Sequence, residues 1–406
     1  MSFSTPGRQM PSEPAVAVSP AGLAVVAWWR RDASLAPQRD VVQMRTRANP
    51  SAAFLGPRTL SARTRNLSPQ PVAAASAGRR TLVGWTDESA AVGLSLPRGA
   101  SSPAVTLLHE GAGADLQDLR VAIAPTGAAV AVWVREDPVP AVRISLRSPN
   151  TGAWSTAADV GPAGAARPAV AMAADGSGLV VWERPGGIDL AAIAADGAVG
   201  APAPVPGAGA TARRPALAMN AAGDATLAWW EGGLVGAARP AGAAFGAPVA
   251  ISETGGVPGP SALRAPELTL SPTGRAVAAW RRAVGGRMRV EAAVGALGAA
   301  WSTPVVVSPT SSRSAGRPSL AANARGAAVV VWSQPVGTSL SAVRARILGT
   351  ATAAFGPVEA LSTSAGRGTA PSAGIDAAGR AVVAWRQDPV GGAGRSFRGA
   401  IRRAIG

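Results

Sequence analysis

The chain has 406 residues, 47% of them hydrophobic and 15% charged, with a net charge of +16 and no Cys, Tyr or Lys. That apolar content excludes a disordered chain, and the missing thiols exclude disulfides and Cys-based metal sites. No apolar run approaches the roughly 18 residues of a membrane span, and the first residues lack the apolar core of a signal peptide.

The predicted elements begin with Pro14-Ala-Val-Ala-Val, a short apolar strand, followed by a turn at Gly22 and a small, β-branched run ending in Trp28. The same order returns from Pro71 to Trp85, Pro168 to Trp182, Pro215 to Trp229, Pro266 to Trp280, Pro318 to Trp332 and Pro371 to Trp385, always with 14 residues from Pro to Trp. In the third copy Leu119 stands in place of Pro, while Gly127 and Trp133 keep their positions. Successive Trp landmarks lie 57, 48, 49, 47, 51, 52 and 53 residues apart. A repeat of about 50 residues is within the range of propeller blades.

Each repeat continues with a third strand, such as Val41–Arg47, Ala141–Arg147 or Leu340–Ile347, whose alternation of apolar and Arg residues predicts one exposed face. A fourth strand is predicted to open on an aromatic, at Phe54, Trp154, Phe245, Trp301 and Phe355, with Pro nearby in most copies. Pro suits an outer edge, where a missing donor costs little. The first two strands read as nearly continuous Ala/Val runs, which predicts burial on both faces. The eight landmark Trp residues are expected to pack between repeats, and Trp29 and Trp230, on the opposite strand face, are candidates for exposed stacking surfaces.

After Trp385 the chain offers a third strand, Ser396 to Arg403, and then ends; Phe3-Ser-Thr-Pro6 matches Trp301-Ser-Thr-Pro304. The expectation is an all-β fold over residues 1–406: one eight-bladed β-propeller of four-stranded antiparallel blades, closed by the N-terminal strand completing the last blade. Closure removes open blade faces, so a monomer is expected.

The order Pro–strand, turn-Gly, strand, third strand and then aromatic-Ser-Thr-Pro resembles the blades of the sialidase-like, BNR-repeat propeller family. Trp301-Ser-Thr-Pro304 is similar to the segment after that family's Asp box, of which Ser148-Pro-Asn150-Thr-Gly152-Ala-Trp154 is at most a remnant. The family's sialidases have six blades and a Tyr nucleophile paired with Glu; this chain has no Tyr. Their arginine triad includes a member just before a first strand, and Leu263-Arg264-Ala-Pro266 has that spacing. The resemblance therefore implies a fold and an anion-binding habit, with sialidase chemistry not expected.

In a propeller the loops before the first strand and after the second share one face. Charges concentrate there: Arg167, Arg214, Arg264 and Arg317 precede first strands, and Arg30, Arg135, Arg281 and Arg386 follow landmark Trp residues. Guanidinium groups so gathered suit carboxylate, sulfate or phosphate; the plainer reading is that loops simply keep charge in water. Likewise, +16 points either to an acidic partner or to Arg replacing Lys on an ordinary surface. Carboxylates for glycoside hydrolysis are available at Asp87, Glu136, Asp137 and Glu183, but their spacing singles out no pair. The lone His109 reads as a surface residue. No cofactor, phosphate-loop, metal or specific nucleic-acid motif is present. The function expected is a non-catalytic binding or scaffold propeller whose loop face recognises an anionic glycan or a protein. A glycan-active enzyme using acidic loop residues is the alternative. Secretion or cell-surface display fits a chain that has lost a leader; the sequence does not assign a compartment.

Overall fold

The computed structural model describes residues 13–32, 39–61, 72–87, 91–95, 105–110, 115–137, 139–255, 264–310, 313–350, 354–362, 366–389 and 396–403. Every regular element among them is a strand. Six of the sheets are four-stranded, each built from one sequence repeat in the order first, second, third, fourth. Repeats 7 and 8 are joined into one seven-stranded sheet by a single parallel bridge, Ser341 to Arg367. This all-β array is consistent with a propeller.

Repeat 4 illustrates how sequence dictates each unit. Its first strand (Ala166–Met172) turns back through Gly176, whose φ of +98 a side chain would resist, into the second strand (Gly178–Arg184). Leu179, Val180, Val181 and Trp182 are all fully buried, so the continuous apolar run does face protein on both sides. The third strand (Gly187–Ile193) pairs along the whole second strand, and the fourth (Ala203–Pro204) has two residues.

Among the described residues eight apolar clusters bind the repeats, and each joins one repeat to the landmark Trp of another. Trp85 packs on Val25, Ala27, Val42 and Met44 of repeat 1; Trp133 on Leu82, Val92 and Leu94 of repeat 2; Trp182 on Val130, Val132 and Ile144 of repeat 3. Trp229, Trp280, Trp332 and Trp385 continue the series against repeats 4, 5, 6 and 7. The remaining cluster sets Trp28, Val16 and Val26 of repeat 1 against Val382 and Ala384 of repeat 8. That contact is reinforced by the Ala377 N–H donating to the Pro20 carbonyl at 3.0 Å and by the close approach of Gly374 to Val18.

Several expectations need correcting. Trp230 is not an exposed stacking surface: it is 2% exposed, packs between repeats 5 and 6, and donates its indole N–H to the Arg264 carbonyl at 2.9 Å. The aromatics Phe54, Trp154, Phe245, Trp301 and Phe355 do not open the fourth strand but precede its two residues by four positions. Nor do the third strands all keep an open face. In repeat 1, Val41, Val42, Gln43, Met44, Thr46 and Arg47 are buried, because a repeat packs on each side. Arg47 lies 5.5 Å over the Phe54 ring, and its guanidinium finds no hydrogen-bond acceptor among the described residues. Burial accordingly holds its pKa below the usual arginine value. The third strand Ser396–Arg403 pairs with the second strand of repeat 8 as expected, whereas Phe3 to Pro6 lie outside the described residues.

Candidate functional site

The start of each first strand and the end of each second strand lie side by side, as pairs Leu116–Arg135, Ala166–Glu183, Arg213–Trp230 and Thr369–Arg386 show. The expected charges therefore do share one end of their sheets. A bulge recurs there, shifting the register of the first strand in repeats 3, 4, 5 and 8. At the same sequence position in each, Asp118, Arg167, Arg214 and Ala370 adopt φ values of +50, +53, +56 and +49. A non-Gly residue held left-handed costs about 1–3 kcal/mol, a form of strain that clusters at functional sites.

A second recurring device links the first strands. In three repeats the residue after the recurring Pro accepts a backbone N–H from the next repeat. Glu267 accepts from Leu320, Ser319 from Ala373 at 3.1 Å, and Ser372 from Val16 at 3.1 Å. The three links run in series from repeat 6 through 7 and 8 to repeat 1. Repeats 1, 2, 4 and 5 carry Ala15, Val72, Ala169 and Ala216 there, and none of these side chains can accept.

The arginines fall into two groups. Arg167 donates to Glu183 at 2.7 Å, and the other Glu183 oxygen accepts the Arg214 N–H at 2.9 Å, so one carboxylate ties repeats 4 and 5. Burial, then the charge of Arg167, lowers the Arg214 pKa; burial, then Arg317, lowers that of Arg264. Arg281, whose guanidinium donates to the Ala315 carbonyl at 3.3 Å, is lowered by burial and then by Arg317 and Arg264. Arg264 also feels Glu13, Asp118 and Arg167, from repeats 1, 3 and 4. Guanidiniums from well-separated stretches of sequence thus act on one another. Arg30 and Arg135 stand apart. Arg30 donates to Gln43 at 2.9 Å. Arg135 approaches Glu110 and Asp159 at 4.0 Å, beside the shorter Arg143 pairs to the same two carboxylates.

Arg317 and Arg386 line a pocket of about 430 Å³ together with Glu13, Glu267, Thr369 and Ser372. Arg317 lies 3.9 Å from Glu13, and Arg386 3.4 Å from Asp388. The Arg386 Nε and Thr369 Oγ1 are buried without a hydrogen-bond partner among the described residues, leaving donors to spare. By surface area Glu267 is exposed, yet burial raises its pKa to about 7 despite the opposing charges of Arg120 and Arg317. The carboxyl lines the pocket rather than the interior, and the protein crowding around it disfavours its charged form without closing it off from the surface.

The carboxylates of repeat 3 form an acidic counterpart: burial, then Asp115, Asp118 and Asp137, raise the Glu136 pKa. Glu183 is occupied by its arginine contacts, and the side chains of Asp87 and His109 lie outside the described residues. No cluster of three or more potential metal ligands occurs among the described residues. A second pocket, about 390 Å³, lies at the opposite end of repeats 3 and 4, lined by Trp154, Leu146, Met172 and Ile193 with Arg147 and Asp196 at its edge. Glu267, Glu13 and Thr369 were not expected from sequence. The available signal for Glu267 was its place directly after Pro266, where Ser319 and Ser372 follow Pro318 and Pro371.

No helix among the described residues is long and apolar enough to cross a membrane. No protein-family model and no curated protein matches the chain. Among solved structures, an ulvan lyase, described as a polysaccharide lyase bound to a GlcA–Rha3S saccharide, aligns over 99% of this chain and 97% of its own at 9% identity and a TM-score of 0.54. A protein of unknown function from Dyadobacter fermentans aligns over 100% and 98% at 13% identity and a TM-score of 0.50. The NanB sialidase of Streptococcus pneumoniae covers 97% and 95% at 7% identity, with a TM-score of 0.44. The chain is thus similar in fold to the ulvan lyase and to the Dyadobacter fermentans protein.

Proposed function

We propose that the eight repeats close into an eight-bladed propeller, residues 3–6 completing the last blade, and that its arginine-bearing mouth binds an anionic saccharide without catalysing its turnover. Closure is supported by the apolar cluster between repeats 8 and 1 and by the Ser372–Val16 link. The observation that carries the binding reading is the gathering of Arg167, Arg214, Arg264, Arg281 and Arg317 within one another's fields. Like charges held together oppose folding, so the arrangement makes physical sense when a ligand anion neutralises it. Carbohydrate is favoured by the neighbour bound to a uronate-containing, sulfated saccharide. Recognition without catalysis is favoured because the chain has no Tyr for sialidase chemistry, and Glu183 is held by Arg167 and Arg214.

Calorimetric titration with a sulfated oligosaccharide and its desulfated parent tests this. Binding of the sulfated form alone, weakening steeply between about 50 and 300 mM salt, is expected. Equal affinity for the two, or binding of neither, would overturn the reading.

A further inference from the structure

We infer that the pocket between Arg317 and Arg386 takes up a saccharide oxyanion together with a proton, and that Glu267 carries that proton. The inference rests on the proposed anion site and adds its chemistry.

Glu267 lines the same recess as Arg317 and Arg386, so an oxyanion drawn to the guanidiniums comes to lie beside its carboxyl. Ionised, that carboxylate repels the ligand and competes for Arg317; protonated, it becomes an O–H donor to the ligand oxygen. Its other contact, the Leu320 N–H, can be accepted in either form. The charged groups around it are Arg317 ahead of the first strand of repeat 7, Arg386 on the second strand of repeat 8, and Glu13 ahead of repeat 1. Arg120, on the first strand of repeat 3, and Arg317 both act on it, and Arg264 and Arg281 of its own repeat lie within the field of Arg317. The arginines favour the ionised form and burial the neutral one; burial prevails, placing the titration at about 7. A bound anion offsets the arginines and adds a like charge, so it raises the carboxyl pKa further. Affinity therefore falls as pH rises through neutrality. His109, the sole histidine, belongs to the outermost strand of repeat 2, away from these first strands.

The probe is a sulfated oligosaccharide, whose own charge is constant from about pH 5.5 to 8.5. Wild-type affinity is expected to fall about tenfold over that range, equivalent to a one-unit rise in the carboxyl pKa on binding. Glu267→Gln, neutral at every pH and still able to meet both the ligand and Leu320, should bind with a flat profile near the wild-type acidic-limb affinity. Wild-type calorimetry in two buffers of different ionisation heat, near pH 7, gives a variant-independent check and should show net proton uptake. Binding that is independent of pH with no proton uptake would overturn this inference and leave the anion site standing. Absence of binding at both ends of the pH range would overturn both.

Discussion

Trp182→Ala lowers the unfolding free energy by about 3–5 kcal/mol, the cost of emptying a large, fully buried site. Trp182 fills the contact between repeats 3 and 4, where Val130, Val132, Val134, Val142 and Ile144 surround it. Urea unfolding followed by fluorescence measures the loss; a change below about 1 kcal/mol would mean that the repeats do not depend on this contact. The Phe replacements separate packing from polarity. The Trp182 indole N–H finds no acceptor among the described residues, because the position two residues on is Arg184, a donor. Trp332 and Trp385 instead donate to Gln334 at 3.3 Å and Gln387 at 3.1 Å. Trp332→Phe forfeits a buried hydrogen bond to Gln334 that Trp182→Phe does not, so it should cost about 1 kcal/mol more.

Replacing Arg264 and Arg317 together with Ala weakens binding of a sulfated oligosaccharide about 100-fold at low salt. Each lost charge-assisted hydrogen bond is worth about 1.5 kcal/mol at the lower end of its range, or about tenfold in affinity. The same variant should unfold no more easily than wild type, since it relieves repulsion among guanidiniums that burial already disfavours. The Arg264 backbone carbonyl that accepts the Trp230 indole N–H is retained by Ala. Lys at both positions keeps the charge and loses the planar fork, and should fall between. A variant that binds normally, or one that loses binding only because it unfolds, contradicts this role.

Much of the architecture was legible because a repeat states its own rule many times. Pro, turn-Gly and Trp at fixed spacing marked the hairpins, and an all-apolar second strand such as Leu179–Trp182 can only be buried on both faces. The misreadings came where a neighbouring repeat intervenes. Arg47 and Trp230 look exposed when one strand is read alone, and both are covered by the adjoining repeat. At the mouth, sequence brought forward the arginines but could not tell Arg317 from Arg135. Arg135 turns to Glu110, a residue of repeat 2, and that contact exists only in three dimensions. Glu267 was missed because its character comes from surroundings supplied by other repeats rather than from its neighbours in sequence. The left-handed bulge at Asp118, Arg167 and Arg214 leaves no compositional mark, since Gly is absent from all three positions.

Everything at the mouth depends on repeats 8 and 1 meeting, because Glu13 reaches Arg317 only if the first repeat returns to the last. A Cβ built on Gly374 would stand 3.2 Å from that of Val18, slightly inside the roughly 3.5–4.5 Å that a disulfide spans. The chain contains no other Cys, so the double variant Val18→Cys, Gly374→Cys has one possible intramolecular crosslink. Mild oxidation is expected to give a monomer with that single internal bond, seen as a reducible mobility shift and full loss of free thiol. Two persistent free thiols, or crosslinked dimers in place of the internal loop, would contradict a ring.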